Sequence, residues 1–367
     1  MPDTPQEDPP PDLTLLGEAL KTVQVRSLAL TSLAVLAFLY TLYFARAFLL
    51  PVVIALLLEL LLNPVVRWLG RLRLPAPAGA ALVMLVLLGG VGLAVYELAE
   101  PAQEWFDKAP RALGQVNAKL HELKRPVEQV SRAAEQLEDA AAVGGSGPQR
   151  EVVVKGPSLV SRVFGTTQAL VAGILEVLIL LYFLLAVGDL FLEKLIKVLP
   201  QLQDKKKAVR IAREVEASVS IYLSTTTILN LLEGLLLALA LWALGMPAPF
   251  FWGALAALIE FVPYLGAVAM LLVLTVVALT TFDSVGQALL VPAVFLVLNI
   301  VQSNLVSPLL YSRRLTLNPV AIVVGLAFWW WLWGVPGAFV AVPLLATFKI
   351  FCDHIETLAP VGEFLGN

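Results

Sequence analysis

Cysteine is almost missing from this sequence. Cys352 stands alone, which excludes an internal disulfide and any cysteine-ligated metal cluster. Histidine is nearly as scarce, and the two present, His121 and His354, lie far apart, so zinc-site spacing is not met. Charge is thin as well: Asp, Glu, Lys and Arg make up 14% of the chain, against roughly 25% in soluble domains. The net charge of −3 is small and points to no nucleic-acid partner. No nucleophile-and-base constellation, phosphate loop or metal motif is present, so neither enzymatic chemistry nor a cofactor is expected. A cleavable signal peptide is not visible either. Residues 1–27 open as the acidic, proline-rich "MPDTPQEDPPPD" and are expected to form a disordered tail.

What the sequence has instead is hydrocarbon. Hydrophobic residues make up 59% of it and the mean hydropathy is +0.84. This composition predicts an all-α, polytopic membrane protein whose main partner is the lipid bilayer. Apolar runs occur at about 28–45, 47–62, 78–98, 168–188, 217–244, 250–280, 287–310 and 318–348. They divide the chain into helices 1–3 over 28–98, an external segment over 99–166, a transmembrane core over 167–350 and a cytoplasmic tail over 351–367. Short basic loops set the orientation. Lys21 and Arg26 flank the first run, Arg67, Arg71 and Arg73 follow the second, and seven basic residues lie in 189–216. Placing all three groups in the cytoplasm puts both termini inside.

Two runs, 250–280 and 318–348, have 31 residues each. As continuous helices they would be about 46 Å long, against about 30 Å of hydrocarbon. Arg313 and Arg314 would fall on the cytoplasmic side if the first of these runs entered and returned to the same face. "VPYLG" at 262–266 then marks the bend of a re-entrant hairpin, because proline removes a helix donor and glycine permits the reversal. The second run repeats the design. Prolines stand at 247 and 263 in one and at 319 and 336 in the other, with Gly253 and Gly325 each six residues after the first proline. Each hairpin follows a crossing with polar residues, so 217–283 and 287–349 read as an inverted repeat, the pattern of transporters with sites near the bilayer midplane.

In the external segment, Leu113, Val116, Leu120, Leu123, Val127, Val130, Ala134 and Leu137 form a heptad stripe. That helix, with Pro126 expected to kink it, either packs on a neighbouring subunit of a homo-oligomer or lies on the membrane surface. "EVVVK" at 151–155 reads as a short strand, and 190–215 as an interfacial basic helix. Phe328 to Trp333 forms either an aromatic belt at the interface or a wall along a substrate path.

The residues able to carry function are polar groups inside apolar runs: Asn230, Glu233, Glu260, Asn299, Gln302 and Asn304. A carboxylate in hydrocarbon is costly and exchanges a proton readily, so it marks an ion or solute pathway. The bland alternative is interhelical hydrogen bonding, which is the expected role of Glu176, while Glu59 sits near the interface. Asn230 and Glu233, one turn apart, share a face. Two functions fit. One is alternating-access transport of a small polar or anionic solute, coupled to a proton or sodium ion. The other is an oligomeric scaffold that recruits partners through the heptad helix; a passive channel is a third possibility.

The stretches "ALLLELLLNPVVRWL", "FVPYLGAVAM" and "IVQSNLVSPLLYSRRLTLNPVAIVVGLAFWWWLWGVPGAFVAVPLLATFKI" resemble the autoinducer-2 exporter family of bacterial permeases. The resemblance spans about 47–350 and is most specific where Pro263-Tyr264-x-Gly266, Pro308, Leu317, Pro319, Gly334, Gly337 and Pro343 fall in order. It implies export of small polar signals such as autoinducer-2, sodium or proton antiport in some members, oligomeric assembly and elevator-type movement. It also extends the candidate site to Pro263, Tyr264, Gly266, Pro308, Pro336 and Gly337. Relatives often carry Asn where Glu260 stands and Glu where Gln302 stands. The segment "YLSTTTILNLLEG" lacks the Gly-Gln that follows Tyr-Leu in many of them.

Overall fold

A computed structural model describes residues 13–135, 159–188, 190–199, 201–310 and 317–366. It is all-helical, with no strand among the described residues. The helices are α1 (Leu13–Phe44), α2 (Arg46–Arg71), α3 (Ala76–Glu135), α4 (Leu159–Val187), α5 (Leu190–Val198), α6 (Leu202–Ala243) and α7 (Pro249–Ile259). They continue with α8 (Leu265–Thr281), α9 (Val285–Val301), α10 (Ser307–Leu310), α11 (Pro319–Trp333), α12 (Val335–His354) and α13 (Ala359–Leu365). A π-helical turn, Gln302–Val306, joins α9 to α10. Lipid offers the backbone no hydrogen bonds, so apolar runs that enter it must pair internally as helices. Among the described residues, five helices are long and apolar enough to cross a membrane: α2, the first half of α3, α6, α9 with its π turn, and α12.

Several boundaries differ from the sequence expectation. α1 begins at Leu13, inside the stretch expected to be disordered; the dense prolines end at Pro11, and an apolar helix-forming run follows. α6 is one helix of 42 residues, so the 202–215 part of the segment expected to form one interfacial helix is continuous with the crossing helix, and 190–198 forms the separate α5. No proline or glycine stands between Gln201 and Glu233 to interrupt it. α3 likewise runs for 60 residues, carrying the third crossing straight into the heptad segment and through Pro126. The side chains of the heptad positions, Leu137, the "EVVVK" segment, Arg313 and Arg314 lie outside the described residues.

Both long runs break where proline and glycine predict. The first yields α7 of 11 residues and α8 of 17, about 17 and 26 Å long, each shorter than the hydrocarbon. The second yields α11 of 15 residues and α12 of 20. α12 alone is about 30 Å long and spans the hydrocarbon, so the second unit is lopsided. The packing also departs from strict repetition: α7 packs chiefly on the preceding crossing, α6, whereas α11 packs on its own partner, α12. Glycines explain the difference. A Cβ on Gly234 of α6 would overlap the Gly253 carbonyl of α7, and one on Gly253 would overlap the Gly234 carbonyl, with Ala238 and Ala257 alongside. Small residues four apart on two facing helices bring backbones into contact, the usual glue of helices in lipid. Gly325 of α11 instead faces Leu345 of α12.

Two large apolar clusters hold the helices together. Ala55, Ala80, Met84, Leu181 and Leu185 join α2, α3 and α4. Leu241, Trp252, Met270, Leu274 and Phe295 join α6, α7, α8 and α9. Met246, just before α7, and Leu279, in the last turn of α8, both bury in this second cluster. Trp333 ties α11 to the first two helices: it packs near Leu49, Leu50 and Val53 and donates its Nε1–H to the Leu42 carbonyl at 3.1 Å. Trp330 and Trp331 are exposed, like the outer faces of α1 and α3, as an interfacial belt requires.

Candidate functional site

The polar residues of the apolar runs converge on one place. The bend between α7 and α8, the buried face of α6 and the end of α9 enclose a cavity of about 500 Å³, closed on the far side by Leu317, Ile322 and Val342. Ligand pockets commonly have this size. Its polar lining includes Tyr222, Thr226, Asn230, Glu260, Tyr264, Asn299, Gln302, Ser303 and Ser307.

Each element delivers its groups for a local reason. On α6, Thr226, Asn230 and Glu233 fall at helical spacing on one buried face. The Asn230 amide, oriented to satisfy both its ends, accepts from the Phe261 N–H at 3.2 Å and donates to the Thr226 carbonyl at 3.3 Å. The Phe261 N–H also donates to the Leu258 carbonyl at 3.4 Å, so the Asn230 amide offers a second acceptor to a backbone donor at the bend. The bend itself is tight. Leu265 N–H donates to the Pro263 carbonyl at 2.6 Å across Tyr264, which sits at φ 63° and ψ −54°, a strained three-residue γ-turn. Gly266 follows where a Cβ would overlap the Ile259 carbonyl. On α9, the π turn adds a residue to the helical circuit, so Gln302 and Ser307, five apart, both face the cavity. Such turns recur at functional sites.

Two carboxyl groups lie at the inner end. Glu260, at the C-terminal end of α7, accepts through Oε1 from Asn299 Nδ2 at 3.1 Å. Glu233, only 3% exposed, lies behind it, outside the cavity lining but close enough to interact with Glu260 and Asn299. Glu260 Oε2 and both Glu233 oxygens are buried without a hydrogen-bond partner in the protein. No ion pair among the described residues reaches either carboxyl. An ionised carboxylate buried unpaired costs several kcal/mol, and two together cost more. A proton or small cation held between them would remove that cost.

Of the residues singled out from sequence, Asn230, Glu260, Pro263, Tyr264, Asn299 and Gln302 line the cavity, with Glu233 and Gly266 in contact behind them. Asn304 points away, donating to the Ile300 carbonyl at 3.0 Å and to Ser303 Oγ at 3.1 Å. Pro336 and Gly337 form the second break, where Gly337 packs on the Trp329 carbonyl, and they do not line the cavity. Pro308 lies in α10, and its side chain is outside the described set. Tyr222, Thr226, Ser303 and Ser307 were not anticipated. Thr226 was within reach of sequence reasoning, one turn before Asn230; the two serines become cavity residues only through the π turn.

Helices broken beside a polar cavity, in a chain otherwise faced for lipid, define a membrane transport protein. The family model described as "AI-2E family transporter" matches residues 33–357, and the chain belongs to that family, a family of transport proteins rather than enzymes. Over 362 residues it is 26% identical to the Escherichia coli (strain K12) protein named "Putative transport protein YhhT", covering 98% of this chain and 97% of that protein. Over 326 residues it is also 26% identical to AI-2 transport protein TqsA of the same strain, covering 85% and 87%.

Proposed function

We propose that this transporter moves a small polar solute by alternating access at the cavity beside the α7–α8 bend, and that Glu233 and Glu260 bind a proton or sodium ion that drives it. The observation that carries the reading is Glu260 opening onto a cavity lined by amides and hydroxyls, with the buried Glu233 behind it and no ion pair among the described residues to either carboxyl. That lining contains one carboxylate and no lysine or arginine, which favours a neutral hydroxylated solute over an anion. The substrate in the printed name of TqsA makes autoinducer-2 the first solute to test. In this reading α7–α8 re-enters the membrane, the two broken units work as an inverted pair in the bacterial inner membrane, and copies assemble through the heptad stripe of α3.

Proteoliposome flux under an imposed pH or sodium gradient tests the coupling. The native chain is expected to accumulate solute against its gradient. Glu233→Gln and Glu260→Gln, which keep shape and remove the ionisable group, are expected to abolish accumulation while leaving the protein folded. Flux that ignores both gradients and is unchanged in both variants contradicts the proposal.

A further inference from the structure

A separate cavity, of about 430 Å³, lies between the start of α6 and the end of α12, within the size range of small-molecule sites. Gln203, Lys206, Lys207 and Arg210 recur at helical spacing on one face of α6, and Asp353 and His354 close the cavity from α12. The apolar part of α6 begins near Ala217. Arg210 and Lys206 stand before it by about 10 and 16 Å along the helix axis. The headgroup layer adds only about 5–8 Å on each side of the hydrocarbon. At the tilts usual for crossing helices, the cavity therefore lies past the lipid phosphates, in water.

The lining is lopsided in charge. Three basic side chains face one carboxylate, and that carboxylate is engaged elsewhere: Asp353 accepts from Lys349 Nζ at 2.6 Å, one turn earlier on α12. Glu214, the next acid along α6, faces His354 Nε2 at 3.4 Å. No carboxylate among the described residues forms an ion pair with Lys206, Lys207 or Arg210. Asp204 and Lys205, outside the lining, offset each other. With Lys349 included, four basic side chains stand against Asp353 and Glu214, an excess of two positive charges. Membrane topology asks only that basic residues gather on one side; it does not ask that they converge on a cavity without acids to pair with. Ammonium and guanidinium groups so placed suit phosphoryl oxygens. Every lining residue is polar, so an acyl chain has nothing there to lie on.

We propose that this cavity binds a soluble phosphorylated anion, with Lys206, Lys207 and Arg210 holding its phosphoryl oxygens from α6 and the end of α12 closing the other side. A bound anion would brace α6 against α12. The proposal goes beyond the transport reading and does not depend on it, and its test reads binding alone.

Isothermal titration calorimetry of the full chain in detergent, with inorganic pyrophosphate as the probe at fixed ionic strength, provides the test. The native chain is expected to bind pyrophosphate saturably at one site. Lys206→Gln, Lys207→Gln and Arg210→Gln combined are expected to weaken that binding at least about tenfold, and an unchanged thermal midpoint without ligand shows that the triple variant folds. Asp353→Asn removes the acid of the lining and frees Lys349, so it is expected to tighten binding about threefold, a gain that misfolding cannot imitate. Lys194→Gln with Lys197→Gln, on α5 and outside the lining, is expected to leave the affinity unchanged. Absence of saturable binding by the native chain overturns the proposal, as does a folded triple variant of native affinity. Weaker binding in a folded Asp353→Asn also counts against it. An equal loss in the α5 variant would mean a diffuse response to net charge and overturn the site. Displacement of pyrophosphate by phosphatidylglycerol but not by phosphatidylcholine would make the cavity a lipid-headgroup site and overturn the soluble-anion assignment.

Discussion

Tyr264 occupies a backbone conformation that side chains disfavour, at φ 63°, and its ring is half exposed at the cavity. Strain of this kind costs about 1–3 kcal/mol and persists only where surrounding structure imposes it. Tyr264→Gly is therefore expected to be about 1 kcal/mol more stable than Tyr264→Ala, because both lose the ring and only glycine escapes the strain. Thermal unfolding in detergent measures this; an alanine variant equal to or above the glycine variant would mean the turn relaxes. Glu233 and Glu260 were legible in the sequence because a charge in an apolar run cannot be incidental. That they meet was not legible, since they sit on different helices and neither spacing nor composition joins them. The γ-turn escaped notice for a different reason: tyrosine carries no signal for positive φ.

At the scale of elements, proline and glycine told where the helices break but not what each half packs against. Gly234 and Gly253 look alike in sequence to Gly89, yet the first two close a backbone-to-backbone contact and Gly89 has nothing within 4 Å of its would-be Cβ. Gly234→Ala and Gly253→Ala are each expected to cost about 1–3 kcal/mol, since a carbonyl cannot rotate aside as a side chain can. Gly89→Ala is expected to be neutral or to add about 0.5–1 kcal/mol through helix propensity. Equal melting shifts for all three would show that α6 and α7 are not locked as described. The hairpin reading makes its own prediction. Gly245→Cys and Asp283→Cys, flanking α7 and α8, should react with an impermeant maleimide from the same side of sealed vesicles. Reaction from opposite sides would mean that the pair crosses the membrane once.

Over the whole molecule, hydropathy and motif order made the membrane class and family readable, because lipid imposes a single solution on long apolar runs. The continuity of α3 and α6 was hidden, since polar sequence after an apolar run reads as a loop unless a helix carries it onward. The second half of α3 bears the heptad positions. Deletion of residues 103–142 is expected to reduce the protein to monomers in light scattering while flux persists; an oligomer of unchanged mass would remove the assembly role.

Alternating access requires a cavity that opens by turns to the two sides of the bilayer. Cys352, the only cysteine and fully buried, allows a clean background in Cys352→Ser, into which Ala267→Cys places one thiol in the cavity wall. Reconstituted in sealed vesicles, this thiol is expected to react with an impermeant maleimide from either side, with solute and driving ion shifting the ratio of the two rates. Reaction from one side alone, at a rate indifferent to solute and ion, would contradict it.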